Sequence, residues 1–133
     1  GSAAVAPERL QRGNVYVFYP PDRDNLFVKR LMALPGDVIA LTEQGVVING
    51  ETLPEALISD TEELTRFSES LDGLEYQVQY LKGLPKQPIR TFKVPAGHYF
   101  FLGDNRENSA DSRHWGSVPA QRIVGEVVAI VPK

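Results

Sequence analysis

Val38-Ile39-Ala40-Leu41-Thr42-Glu43-Gln44-Gly45-Val46-Val47-Ile48-Asn49-Gly50-Glu51-Thr52-Leu53 sets short β-branched runs around an Asn-Gly pair. Both central positions of a type I′ turn need positive φ, which glycine adopts freely and asparagine tolerates, so Asn49-Gly50 predicts a hairpin joining 46–48 to 51–53. The same texture recurs outward. Val15–Tyr19, Leu26–Ala33, Glu75–Tyr80, Thr91–Val94, Tyr99–Leu102 and Val124–Val131 are rich in β-branched and aromatic residues and bounded by Gly, Pro, Asn or Asp. With 38–42 and 46–48, the fold expected is mainly β: a short-stranded antiparallel sandwich or partly open barrel. One segment departs from the pattern. Leu64, Phe67 and Leu71 fall at helical spacing, Ser59 with Glu62 or Asp60 with Glu63 can cap a start, and Gly73 can stop it. A small acidic surface helix is therefore expected over about 60–72, inside a variable insertion of about 54–90.

The 133 residues suit a single domain with its own core. Their 14 basic and 17 acidic side chains give a net charge of −3, which excludes a basic nucleic-acid footprint. The absence of cysteine removes disulfides and thiolate sites, and His98 and His114 have no carboxylate arrangement that suggests a metal; neither metal nor cofactor is expected. The best apolar run, Ile123–Val131, is interrupted by Gly125 and Glu126 and falls short of the roughly eighteen residues that span a bilayer. Gly1-Ser2 reads as a cloning remnant, and residues 1–6 as lying outside the domain.

Directly after the apolar run His98–Leu102 comes Gly103-Asp104-Asn105-Arg106-Glu107-Asn108-Ser109-Ala110-Asp111-Ser112-Arg113. Asp104, Arg106, Asp111 and Arg113 can pair with one another, while Asn105, Asn108 and Ser109 satisfy turning backbone; a rigid polar platform is expected. Far upstream, Val28-Lys29-Arg30-Leu31-Met32-Ala33-Leu34-Pro35-Gly36-Asp37 carries a lysine inside an apolar strand. Alternation puts Phe27, Lys29 and Leu31 on one face and Val28, Arg30 and Met32 on the other. Lys29 is then either a solvent-facing lysine or a desolvated amine. An amine accepts a proton only when neutral, and an ordinary lysine near about 10.4 is charged at pH 7. A lysine that serves as a base needs apolar surroundings that disfavour the ammonium, and Phe27, Val28, Leu31 and Met32 can supply them.

Together the two strings resemble the type I signal peptidases, membrane-anchored Ser/Lys endopeptidases that remove signal peptides from exported proteins. Val28-Lys29-Arg30 with Leu34-Pro35-Gly36-Asp37 is similar to the family's lysine box, and 103–113 to its Gly-Asp-Asn-Arg box. Arg12-Gly13-Asn14-Val15-Tyr16-Val17-Phe18 resembles its Arg-Gly-Asp strand, with Asn14 where Asp is usual. The resemblance runs from about Arg12 to Val131 and is weakest across 54–90. It implies Lys29 as general base and Ser109 as the hydroxyl that orients the amine. It further implies an Asp111–Arg113 ion pair that fixes the box, with Asp104 and Arg106 bracing the turn and Arg30 tying the two boxes together. The nucleophile it implies is a serine in a Ser-Met-x-Pro-Thr-like stretch before the lysine. Ser2 lacks those neighbours, so the chain by itself is expected to be inactive.

The implied partners are signal peptides cut after Ala-x-Ala, added as an extended strand beside the lysine strand, with Val17, Phe27 and Val28 as pocket walls or as core. A membrane surface is the other, met by a rim of Tyr16, Phe18, Tyr19-Pro20-Pro21 and Leu26, with Trp115 either in that rim or a core anchor. The implied location is the outer face of a bacterial cytoplasmic membrane. Alternatives are a related peptidase that processes pilins or conjugation proteins, and a non-catalytic relative that binds peptides or pilins. Retention of Lys29 and Ser109 argues against the latter. A self-cleaving repressor peptidase should carry an Ala-Gly cleavage loop and a DNA-binding segment, which the sequence lacks.

Overall fold

The computed structural model describes residues 9–85 and 87–128; Ser2, the rest of 1–8, and 129–131 of the last expected strand lie outside the described residues. In chain order the strands are β1 (Val15–Phe18), β2 (Phe27–Ala33), β3 (Val38–Thr42), β4 (Gly45–Ile48), β5 (Glu51–Thr52), β6 (Glu55–Asp60), β7 (Leu64–Leu71), β8 (Leu74–Leu81), β9 (Arg90–Lys93), β10 (His98–Leu102), β11 (Val118–Pro119) and β12 (Ile123–Val127). A short helix α1 (Ser112–Trp115) precedes β11, and a 3₁₀ turn at Ala120–Arg122 precedes β12.

Three antiparallel sheets result: β11-β10-β2-β1-β12, β5-β4-β3-β9 and the meander β6-β7-β8. The expected Asn49-Gly50 turn forms, with φ of 52° and 85°. Alternation along β2 and β10 buries the five-stranded sheet on both faces. Leu31 and Phe101 join Tyr16, Phe18, Trp115, Val118 and Ile123 in one cluster. Met32, Phe100 and Leu102 join Ile39, Val46, Ile48, Leu71, Tyr76, Val78 and Val94 in the other. Each fully buried Leu or Phe contributes roughly 1.5–3 kcal/mol; the second cluster draws on all three sheets and holds them together, while the first packs one face of the five-stranded sheet against Trp115 of α1.

The mainly β architecture agrees with expectation, but the helix does not lie at 60–72. That segment is the end of β6, a turn and β7, and the one small helix, α1, closes the polar box instead. The signal misread is Asp72-Gly73: with φ of 50° and 83° it is a two-residue hairpin turn between Leu71 and Leu74, and not a helix stop. The rim is corrected as well. Tyr16 and Phe18 are fully buried, because on β1 they point inward while Val15 and Val17 point out, and Trp115 is a core anchor stacked edge-on to Phe18 and Phe27. Pro20 is also buried, whereas Leu26 is 54% exposed, as a rim residue would be.

Candidate active site

β10 runs beside β2 as far as Leu102 opposite Arg30, and at Gly103 the chain leaves the sheet. The loop that follows folds back over the next residue of β2, so Lys29 Nζ donates to Ser109 Oγ at 2.8 Å. Glycine at 103 is what permits this approach. A Cβ there would lie 1.9 Å from Ser109 Oγ, 2.5 Å from Ser109 Cβ and 3.4 Å from Lys29 Nζ. Lys29 itself is half-buried, opposite the buried Tyr16 and two residues from the buried Leu31.

The loop is held by charge pairs that bind backbone as well as each other. Asp111 is fully buried and caps α1 by accepting from Arg113 N. Its carboxylate also takes the Arg113 guanidinium at 2.9 and 2.7 Å and the Gly103 N–H at 2.9 Å. Arg113 in turn donates to the carbonyl of Arg106. Arg30 forks onto Asp104 at 2.9 and 2.8 Å, donates to the Gly13 carbonyl at 2.6 Å and lies over the Tyr76 ring at 4.0 Å. It thus ties β2 to the box and to the loop before β1, on the face opposite Lys29.

Arg106 pairs with none of the box carboxylates. It turns inward, donating Nε to the Gly103 carbonyl at 2.9 Å and both terminal nitrogens to Glu69 of β7 at 3.2 and 2.5 Å. Burial works against the Arg106 charge, and the Glu69 carboxylate more than offsets it, so its pKa lies above the ordinary arginine value. The same burial, reinforced by Glu69, raises the Tyr76 phenol and pushes Tyr80 up to about 12. Neither is a proton donor near neutral pH. Among the described residues no cluster of three or more His, Cys, Asp or Glu could hold a metal.

A cleft of about 300 Å³ opens beside the lysine, lined by Val28, Lys29, Gly103, Asn105, Asn108 and Ser109 among others. Val28 faces it, 51% exposed, with Val17 directly opposite on β1. Phe27 points the other way, against Trp115, with Arg23 over its ring at 5.9 Å. Val17 and Val28 therefore share a face that Phe27 does not. Sequence reasoning missed Gly103 and Glu69. Gly103 was legible only as the first residue of a polar string, and Glu69 gave no signal in a segment read as a surface helix.

Comparison with known proteins gives this geometry its family. A family model described as signal peptidase, peptidase S26, matches residues 2–132. The signal peptidase I of Pseudomonas fluorescens is 39% identical over 139 residues, covering 90% of this chain and 48% of that protein. The signal peptidase I of Pseudomonas aeruginosa is 36% identical over 137 residues, again covering 90% and 48%. A crystal structure of a signal peptidase I from Enterococcus faecalis V583 matches with a TM-score of 0.60 at 26% identity, covering 90% of this chain and 97% of that one. The chain spans about half the length of the curated relatives it matches. With the mainly β fold and the two boxes joined, this chain belongs to the signal peptidase family of S26 peptidases.

Proposed function

We propose that this domain cleaves signal peptides from exported preproteins, with Lys29 as general base and Ser109 as the residue that orients it. The observation that carries the reading is the 2.8 Å hydrogen bond from Lys29 Nζ to Ser109 Oγ at the edge of an open cleft. Among the described residues Ser109 is the sole hydroxyl bonded to Lys29, and the nucleophile is a separate serine outside them. As that serine attacks the scissile carbonyl, the Lys29 amine takes its proton and then passes it to the departing amine. Water, deprotonated by the same lysine, releases the acyl group. Ser109 accepts one amine N–H, which fixes the side chain so that its lone pair is aimed at the nucleophile.

An extended peptide is accommodated along Phe27–Lys29 of β2. There the strand pairs with β1 on one side, while the β10 ladder has already ended at Leu102. Val28, and Val17 beyond it, offer the apolar contact that small residues of an Ala-x-Ala site require. Exposed Leu26, next to that edge, is suited to a membrane surface on the outer face of the cytoplasmic membrane. No helix among the described residues is long and apolar enough to cross a membrane.

In a form of the protein that carries the nucleophilic serine, Lys29→Arg should remove nearly all turnover of a signal-peptide substrate, because arginine stays protonated. Ser109→Ala should lower it by about tens to a few thousand fold, as expected for a base that loses its orientation. Wild-type rates for Lys29→Arg would rule out the mechanism. Residues 1–133 alone should not cut the substrate, and mass-spectrometric detection of cleavage after Ala-x-Ala by that chain would overturn the assignment of a separate nucleophile.

A further inference from the structure

We propose that Glu69, on β7, is a positioning residue for the Lys29–Ser109 pair and acts on it through Arg106 and the Gly103 peptide. The inference rests on the reading of Lys29 as general base and extends it to a segment with no box of its own. Glu69 is fully buried and points at Arg106, which is 3% exposed. A strand packed against a core has no packing reason to place a carboxylate inward, since replacing a buried ion pair by apolar side chains of similar volume is often neutral or stabilising. What the carboxylate does here is orient a guanidinium whose remaining Nε–H is aimed at the Gly103 carbonyl, 2.9 Å away.

Gly103 is the residue on which Ser109 rests, with no room between them even for a Cβ. Its peptide N–H is held by Asp111 and its carbonyl by Arg106, so two ion pairs grip Gly103 from both sides. One of these pairs, Asp111–Arg113, lies within the box. The other depends on Glu69. The meander reinforces the grip: Gln79 N donates to the Asp104 carbonyl and Arg106 N donates to the Gln79 carbonyl, both at 2.9 Å, so β8 holds the residues on either side of Asn105. Without the Glu69 charge, Arg106 must find other acceptors, the Gly103 carbonyl is released, and Ser109 drifts from the 2.8 Å contact.

The test needs no nucleophile. The sequence has five lysines, so the amine nitrogen NMR signals of chain 1–133 can be assigned, with Lys29→Arg identifying the Lys29 signal. Ser109→Ala defines how far that signal and its proton-exchange rate move when the hydroxyl is lost. Glu69→Gln should move both in the same direction, while the signals of Lys82 and Lys93 stay in place. A purely structural Glu69 would lower the melting temperature and leave the Lys29 signal where it was, and that result overturns the proposal. If Glu69→Gln does not fold, the double variant Glu69→Leu/Arg106→Leu removes the charges together and is scored in the same way. In a form carrying the nucleophilic serine, Glu69→Gln should lower kcat about tenfold or more with KM unchanged. A normal kcat beside a displaced Lys29 signal would overturn the base role and leave the positioning intact.

Discussion

Gly103→Ala is the smallest change that separates geometry from charge at this site. One added methyl would sit 1.9 Å from Ser109 Oγ, far inside contact distance, so either Ser109 or the β10 end must move. Ser109 is the softer of the two. The variant should therefore reproduce the turnover loss of Ser109→Ala while costing about 1–3 kcal/mol of stability for overpacking, measurable by denaturant unfolding. Asp111 and Arg113 make the opposite case. Asp111 is fully buried, so Arg113→Ala strands a carboxylate and should cost about 3–5 kcal/mol, whereas Lys29→Ala should leave stability within about 0.5 kcal/mol. A thermal-shift series on chain 1–133 decides this: an unchanged melting temperature for Arg113→Ala together with collapse of Lys29→Ala would invert the division of roles.

Among the elements, the meander β6-β7-β8 separates what the sequence reveals from what it hides. β1, β2, β3, β4, β8, β9, β10 and β12 advertise themselves by β-branched and aromatic runs and turn residues, and the Lys29 and Ser109 boxes by their density of polar groups. On β7 the inward face runs Thr65, Phe67, Glu69, Leu71, and the buried glutamate breaks the apolar alternation, leaving Leu64, Phe67 and Leu71 to imitate a helical stripe. The residue that hid the strand is the one that reaches Arg106, so the local pattern failed where a tertiary ion pair overrode it. Strand and helix assign Leu71 different surroundings. On a surface helix its truncation costs little, but in the core cluster with Tyr76 and Val78 it is 3% exposed. Leu71→Ala should cost about 2–5 kcal/mol, seen as a lower urea midpoint with an unchanged slope.

Across the whole molecule, the meander and the four-stranded sheet meet at Glu55. From β6 its carboxylate lies against Gly45 of β4, where a Cβ would come within 2.8 Å of Oε1, and Oε2 is buried without a hydrogen-bond partner. Burial raises the Glu55 pKa above the ordinary glutamate value, the nearby Glu69 charge adds to the rise, and Arg106 opposes it only in part. A carboxyl group with a raised folded pKa favours the fold while it is protonated, below its unfolded value, and loses that contribution as pH climbs through the folded value. Glu55 is therefore a destabilising charge at neutral pH, kept at the seam where the meander meets the four-stranded sheet. Glu55→Gln, which keeps the shape without the charge, should raise the melting temperature at pH 7. The gap over wild type should close as pH falls through the ordinary glutamate range near about 4.3, where both side chains are neutral. A gap that stays constant from pH 7 to pH 4 would mean the carboxylate finds a partner in solution and that the seam carries no charge strain.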